Sequence, residues 1–285
     1  MFSYRHAFHA GNHADVLKHA VLVHILDHFN KKPAPYWVID THAGAGFYDL
    51  TGEWAQKKAE YTDGIGRLTE VDSAPPLVTR YLEEVAALNP DSTLRYYPGS
   101  PWLAMQAMRD SDRLRLFELH PSEVDILRQG LTRYARSHAR RVTVTETDGF
   151  DGIKALLPPP SRRAMVIIDP SYEAKQDYRR TFTAVQEGLK RFATGTFAVW
   201  YPLVQRPEVQ SLIRNLERLD TVWLNASLKV NKPAADGFGL HGSGMFIVNP
   251  PWTLDAALGE ALPWLADKLA QDNTASFTVT RSEKS

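Results

Sequence analysis

From residue 96 onward, short runs of apolar and β-branched residues alternate with longer stretches in which apolar residues recur at helical spacing. The runs at 114–119 (LRLFEL), 141–145 (RVTVT), 164–169 (AMVIID), 196–201 (TFAVWY), 221–228 (TVWLNASL) and 245–248 (MFIV) predict strands. An earlier run at 36–40 (YWVID) makes seven. Helical spacing fills most of the gaps, as at 122–135 and 178–192. Such alternation predicts an α/β fold, Rossmann-like, with a seven-stranded, mostly parallel sheet and helices on both faces. The last two strands leave no room for a helix, so an antiparallel pair is expected at one edge.

The rhythm breaks after the first strand. Residues 49–93 carry two helical stretches (54–68 and 76–88) and a local excess of Asp and Glu, which predicts a small inserted helical subdomain. The main domain is then 1–48 together with 94–285, its first 30 residues forming a strap and a helix. The polar stretch 272–285 is expected to fray.

Composition narrows the classes. Apolar residues make up 44% and Trp occurs seven times, enough for a full core. Lys+Arg and Asp+Glu balance at 33 each, so any nucleic-acid contact must come from a local patch. Candidate patches are Arg128, Arg133, Arg136, Arg140 and Arg141 with His138, and the pairs Arg162-Arg163, Arg179-Arg180 and Lys190-Arg191. The absence of Cys excludes disulfides, thiolate metal sites, iron–sulfur clusters and Cys nucleophiles. Six of the ten His fall in the first 28 residues, but no H-E-x-x-H occurs and no metal is expected. There, Asn12 is expected to cap a helix, with Asp15 at the capping-box position and Val16, Leu17, Ala20, Val21, Ile25 and Phe29 as its buried stripe. No apolar run nears the roughly 18 residues of a membrane span and no leader-like apolar stretch opens the chain. The expectation is a cytoplasmic monomer without membrane contact.

Asp40-Thr41-His42-Ala43-Gly44-Ala45-Gly46 follows the first strand. A strand ending in a carboxylate, then a glycine turn, lets a ligand approach the backbone. Asp49 stands where a dinucleotide fingerprint has its third Gly, and the carboxylate of Asp40 suits a cationic ligand, as S-adenosylmethionine is. Glu118 ends the second core strand, placed to accept from a ribose diol, and Asp148 follows the third, placed to accept from an adenine amino group. Asp169-Pro170-Ser171-Tyr172 ends the fourth. A carboxylate and a peptide carbonyl accepting both protons of an adenine amino group would localise its lone pair for methyl transfer, with an aromatic ring stacked on the base. Asn249-Pro250-Pro251-Trp252 fits the same loose tetrapeptide, but its place beyond the last strand argues for a turn.

The chain resembles the amino-methyltransferases with a (D/N)-P-P-(Y/F/W) motif and, more closely, the bacterial 23S ribosomal RNA adenine-N6 methyltransferases of the RlmJ type. The resemblance is carried by residues 3–6, 8–19, 40–46, 94–101, 118–121, 168–170, 191–195, 200–202 and 249–252, which span nearly the whole chain. It implies S-adenosylmethionine as cofactor, held by His19, His42, Ser100, Glu118, Asp148, Gly149 and Asp169, beside the Asp40, Gly44 and Gly46 of the turn. It implies Asp169, Pro170 and Tyr172 as the catalytic group, and Tyr4, His6 and Lys18 as substrate contacts on a strap over the site. Ser100 is expected to cap a helix beside the ligand. The implied partner is 23S rRNA, free or in an assembling large subunit. Ser171 replaces the family's second proline, which is expected to alter rate and not reaction type. Residues 231–243 (NKPAADGFGLHGS) are the expected loop around the target base. A DNA adenine-N6 methyltransferase, and a nucleic-acid-binding protein with a vestigial cofactor pocket, are the alternative readings.

Overall fold

The computed structural model describes residues 5–134, 140–235, 237 and 239–283. Five parallel strands form its centre: β1 (Trp37–Asp40), β4 (Arg113–Phe117), β5 (Val142–Thr145), β6 (Ala164–Ile168) and β7 (Thr196–Leu203). β6 is buried along its whole length, as the unbroken apolar run demands of a strand covered on both faces. β8 (Trp223–Lys229), β9 (Gly242–Val248) and β10 (Ser276–Arg281) extend the sheet antiparallel, giving the order β10-β8-β9-β7-β6-β1-β4-β5.

The sheet thus has eight strands and not seven. The extra one, β10, comes from the stretch expected to fray. Its Phe277 and Val279 alternate with Thr, and six residues pair with β8. A two-stranded antiparallel ribbon, β2 (Phe47–Asp49) with β3 (Tyr96–Pro98), returns the chain beside the glycine turn after residues 50–95. Between them lie α2 (Glu53–Lys58), two 3-10 turns and α3 (Pro76–Ala87). Their buried Ile65, Leu68, Val78 and Tyr81 join the same apolar cluster as α1 (His13–Asn30).

Asn12 caps α1, its side chain accepting from the N–H groups of Ala14 and Asp15. Asp15 does not close a capping box; it accepts instead from the Gly11 N–H at 2.9 Å. α1 packs on α3, on β9 and on α4 (Ser100–Ala107), so it is buried on nearly every side and not along one stripe. The remaining helices are α5 (Pro121–Tyr134), α6 (Gly149–Leu156), α7 (Lys175–Arg191), α8 (Pro207–Glu217) and α9 (Leu254–Lys268). Among the described residues no helix is long and apolar enough to cross a membrane.

Candidate active site

From β1 the chain goes outward to β4 and β5 on one side and returns to β6 on the other. The carboxyl ends of these strands therefore part at β1, leaving a crevice. A cavity of about 480 Å³ occupies it.

Asp40, at the end of β1, is buried; it accepts from Ser100 Oγ at 2.7 Å and from the His42 N–H at 3.2 Å. Burial pushes its pKa up to about 6. Ser100 is the first residue of α4 and Gly99 the cap, one position from expectation, and its hydroxyl is spent on Asp40. Gly44 has φ +58° and donates its N–H to Glu118 at 2.8 Å. The other oxygen of Glu118 accepts from the N–H groups of Leu119 and His120, 2.8 Å each, so the carboxylate is fixed in place with an acceptor position still open on the cavity wall. Asp148 caps α6, accepting from the Phe150 N–H at 3.0 Å, and pairs with Arg180. Gly149 lies so close to β1 that a Cβ would meet the Thr41 carbonyl oxygen at 2.0 Å. His42 stands edge-on to Phe150, and burial pushes its pKa down to about 4. His19 on α1 is also buried and neutral, pushed down to about 3, and its Nδ1 lies 2.8 Å from the Tyr97 hydroxyl.

Asp169 follows β6. One oxygen accepts from Lys18 Nζ at 2.5 Å, and Lys18 also pairs with Asp15 at 2.8 Å. Asp15 is held well below the usual carboxylate range: burial opposes this, but His6 at 2.9 Å and Lys18 outweigh it. Burial would likewise strip the Lys18 proton, and the two carboxylates more than reverse that. The outcome is a chain of hydrogen bonds and ion pairs, His6–Asp15–Lys18–Asp169, from the N-terminal segment to the end of β6.

A second cavity of about 820 Å³ adjoins the first and shares His6, Lys18, Asp169 and Ser171 with it. Trp200, Pro202 and Arg206 line it, as do Gly237 and Leu240 of the β8–β9 connection, within the expected 231–243 loop. Asp236 and Phe238 of that loop lie outside the described residues.

Tyr172 differs from the free stacking ring expected. Its backbone is left-handed (φ +53°), its hydroxyl donates to the Trp200 carbonyl at 2.8 Å, and its ring packs against Tyr178, leaving it 2% exposed. It borders the second cavity only. Tyr4, Arg136 and His138 lie outside the described residues. Arg141 is buried and donates to the Met108 carbonyl, and Arg163 donates to Ala34 and Phe29 carbonyls, so these two act within the fold. Among the described residues no group of three His, Asp or Glu gathers as a metal ion requires.

Asn249 sits at the opposite edge of the sheet, because β9 runs against β7 and ends where β7 begins. Its side chain donates to the Ala193 and Gly195 carbonyls and accepts from Thr221 Oγ1, and Trp252 is 83% exposed. The tetrapeptide there is a turn.

Four groups here carry other readings or none in the sequence: Asp15, Tyr97, Tyr81 and Arg180, the last counted there in a nucleic-acid patch and found paired with Asp148. Asp15 resembled a helix cap, and the other three come from segments that only the packing brings together.

Residues 33–281 match the family described as ribosomal RNA large subunit methyltransferase D, RlmJ. The chain is 43% identical over 280 residues to the ribosomal RNA large subunit methyltransferase J of Escherichia coli (strain K12), covering 98% of each. To the protein of that name from Haemophilus influenzae it is 44% identical over 283 residues, again covering 98% of each. The crystal structure of protein LPL1258 from Legionella pneumophila superposes with a TM-score of 0.89 at 34% identity, over 97% of this chain and 99% of that one.

Proposed function

The chain belongs to the large-subunit ribosomal RNA methyltransferase family RlmJ, and from that premise we propose that it methylates the N6 amino group of an adenine in 23S rRNA, using S-adenosylmethionine, as a cytoplasmic monomer. The observation that carries the chemistry is the place of Asp169, on the wall common to two adjoining cavities. The smaller cavity suits the methyl donor. The open acceptor position of Glu118 suits a ribose diol, Asp148 and Gly149 line the wall available to the nucleoside, and Asp40, buried behind Ser100 and off the cavity wall, adds negative charge that favours a cationic ligand. Bound there, S-adenosylmethionine supplies an electrophilic methyl group.

The larger cavity suits the target nucleotide. Asp169 and the Pro170 carbonyl accept the two amino protons of the adenine, holding its lone pair toward the methyl group. Lys18 donates to one Asp169 oxygen and so orients the carboxylate as an acceptor. Tyr172 serves as a rigid wall of the base pocket behind Trp200. Neither a covalent intermediate nor a thiol is needed.

Methylation of a 23S rRNA transcript, with the product mapped by mass spectrometry, tests this. Asp169→Ala should lower the rate at least about 100-fold while S-adenosylmethionine binding, read by calorimetry, persists. A variant that methylates at the rate of the parent, or a product modified anywhere but at an adenine N6, would overturn the proposal.

A further inference from the structure

The Tyr97 hydroxyl lies between two groups. It is 2.8 Å from His19 Nδ1 and 2.8 Å from the Tyr81 hydroxyl, and both tyrosine side chains are fully buried. Tyr81 has no other hydrogen-bond partner among the described residues. Among the described residues His19 Nε2 has no hydrogen-bond partner, and His19 lines the smaller cavity.

Each hydroxyl carries one proton, and burial keeps His19 neutral with one proton of its own. Two arrangements run both bonds in one direction, and any other with a proton on Nδ1 also strands a hydroxyl proton, because three protons then meet two bonds. In one, His19 Nδ1–H donates to Tyr97, Tyr97 donates to Tyr81, and the Tyr81 proton meets no acceptor in a dry interior. In the other, Tyr81 donates to Tyr97 and Tyr97 donates to Nδ1, so every donor is used. An unmet buried donor disfavours the first arrangement by roughly tenfold or more.

We infer that Tyr97 is a positioning residue that holds His19 as its Nε2–H tautomer, presenting an N–H donor to the carboxylate of the methyl donor's amino-acid end. The inference rests on the proposed reading of the cavity as the methyl-donor site. The second hydroxyl, on Tyr81, cannot take the Tyr97 proton without stranding its own. Tyr97 arrives on β3, which the β2–β3 ribbon brings back beside the glycine turn, so the tautomer depends on the return of the chain after residues 50–95.

Nitrogen NMR of the imidazole rings in the donor-free protein reads the tautomer directly. His19 should carry its proton on Nε2 in the wild type and in Tyr81→Phe, where Tyr97 still has Nδ1 as acceptor. Calorimetry then compares S-adenosylhomocysteine with 5′-methylthioadenosine, which lacks the amino-acid end. Tyr97→Phe should weaken the first about 5- to 10-fold and the second less than about 2-fold, whereas Tyr81→Phe should leave both within about 2-fold. A purely structural role would weaken both ligands alike. Equal weakening, a proton on Nδ1 in the wild type, or a tautomer that flips in Tyr81→Phe would overturn the inference while leaving the methyl-donor reading intact. Failure of the wild type to bind S-adenosylhomocysteine would overturn that reading instead. Should Tyr97→Phe not fold, the wild-type and Tyr81→Phe spectra still decide.

Discussion

Asp40 opposes folding at neutral pH. Its pKa is about 6 in the folded chain, against 3.8 for an ordinary Asp carboxyl, because burial disfavours the ion. For an acid raised in this way, the folded state favours the protonated form. Its stabilising contribution is complete below the unfolded value, declines as pH rises from about 4 to 6, and is gone above that. Asp40→Asn should therefore stabilise the protein at pH 8 by up to about 3 kcal/mol, with the gain vanishing near pH 4, as urea unfolding at the two pH values would show. The same variant should bind S-adenosylmethionine more weakly, since the amide cannot offset the ligand's positive charge. Asp40, Glu118, Asp148 and Asp169 were legible in the sequence because each ends or follows a strand run, and strand ends converge in a parallel sheet. Asp15 was not: a carboxylate three residues after Asn12 has the spacing of a cap, and although Lys18 is one helical turn away on α1, only the fold brings His6 to it. Tyr172 was legible as a ring but not in its direction, because the left-handed backbone at that position turns it toward Tyr178 and the Trp200 carbonyl.

Elements fared unequally for a physical reason. Of the parallel strands, β1, β6 and β7 are mainly apolar runs, and β4 and β5 alternate apolar residues with Arg or Thr, patterns that read as strands without a partner present. β10 is an alternating edge strand whose polar residues face outward, and it reads as a tail until β8 is present to pair with it. The Asn249 turn had the residues of a catalytic motif and the location of a stitch. Its side chain closes the start of β7 through two donated bonds and one accepted, at φ +50°, a conformation Asn tolerates better than Ala. Asn249→Ala should cost about 2–3 kcal/mol in chemical denaturation and leave the methyl-transfer rate of the folded fraction unchanged. A loss of rate at unchanged stability would reassign the turn to catalysis.

For the whole molecule, the acidic stretch at 49–93 stood out in composition as an insertion, yet composition does not report on packing. Ile65, Leu68, Val78 and Tyr81 cover α1, the helix that carries Lys18 and His19. Excision of residues 50–95, bridged by a short glycine linker, should abolish cooperative folding rather than leave a smaller working enzyme. Scanning calorimetry would read this as the loss of the parent's transition; a truncated chain with a sharp transition of its own would separate the two parts.

α1 lies against β9, and its His24 bonds Thr253 just past that strand. During synthesis α1 thus waits for more than two hundred further residues before its apolar flank is covered. Until then a nascent copy has no closed pocket and shows a sticky surface that chaperones recognise. An enzyme assigned to ribosomal RNA gains its competence only once β9 has itself been translated and laid against α1.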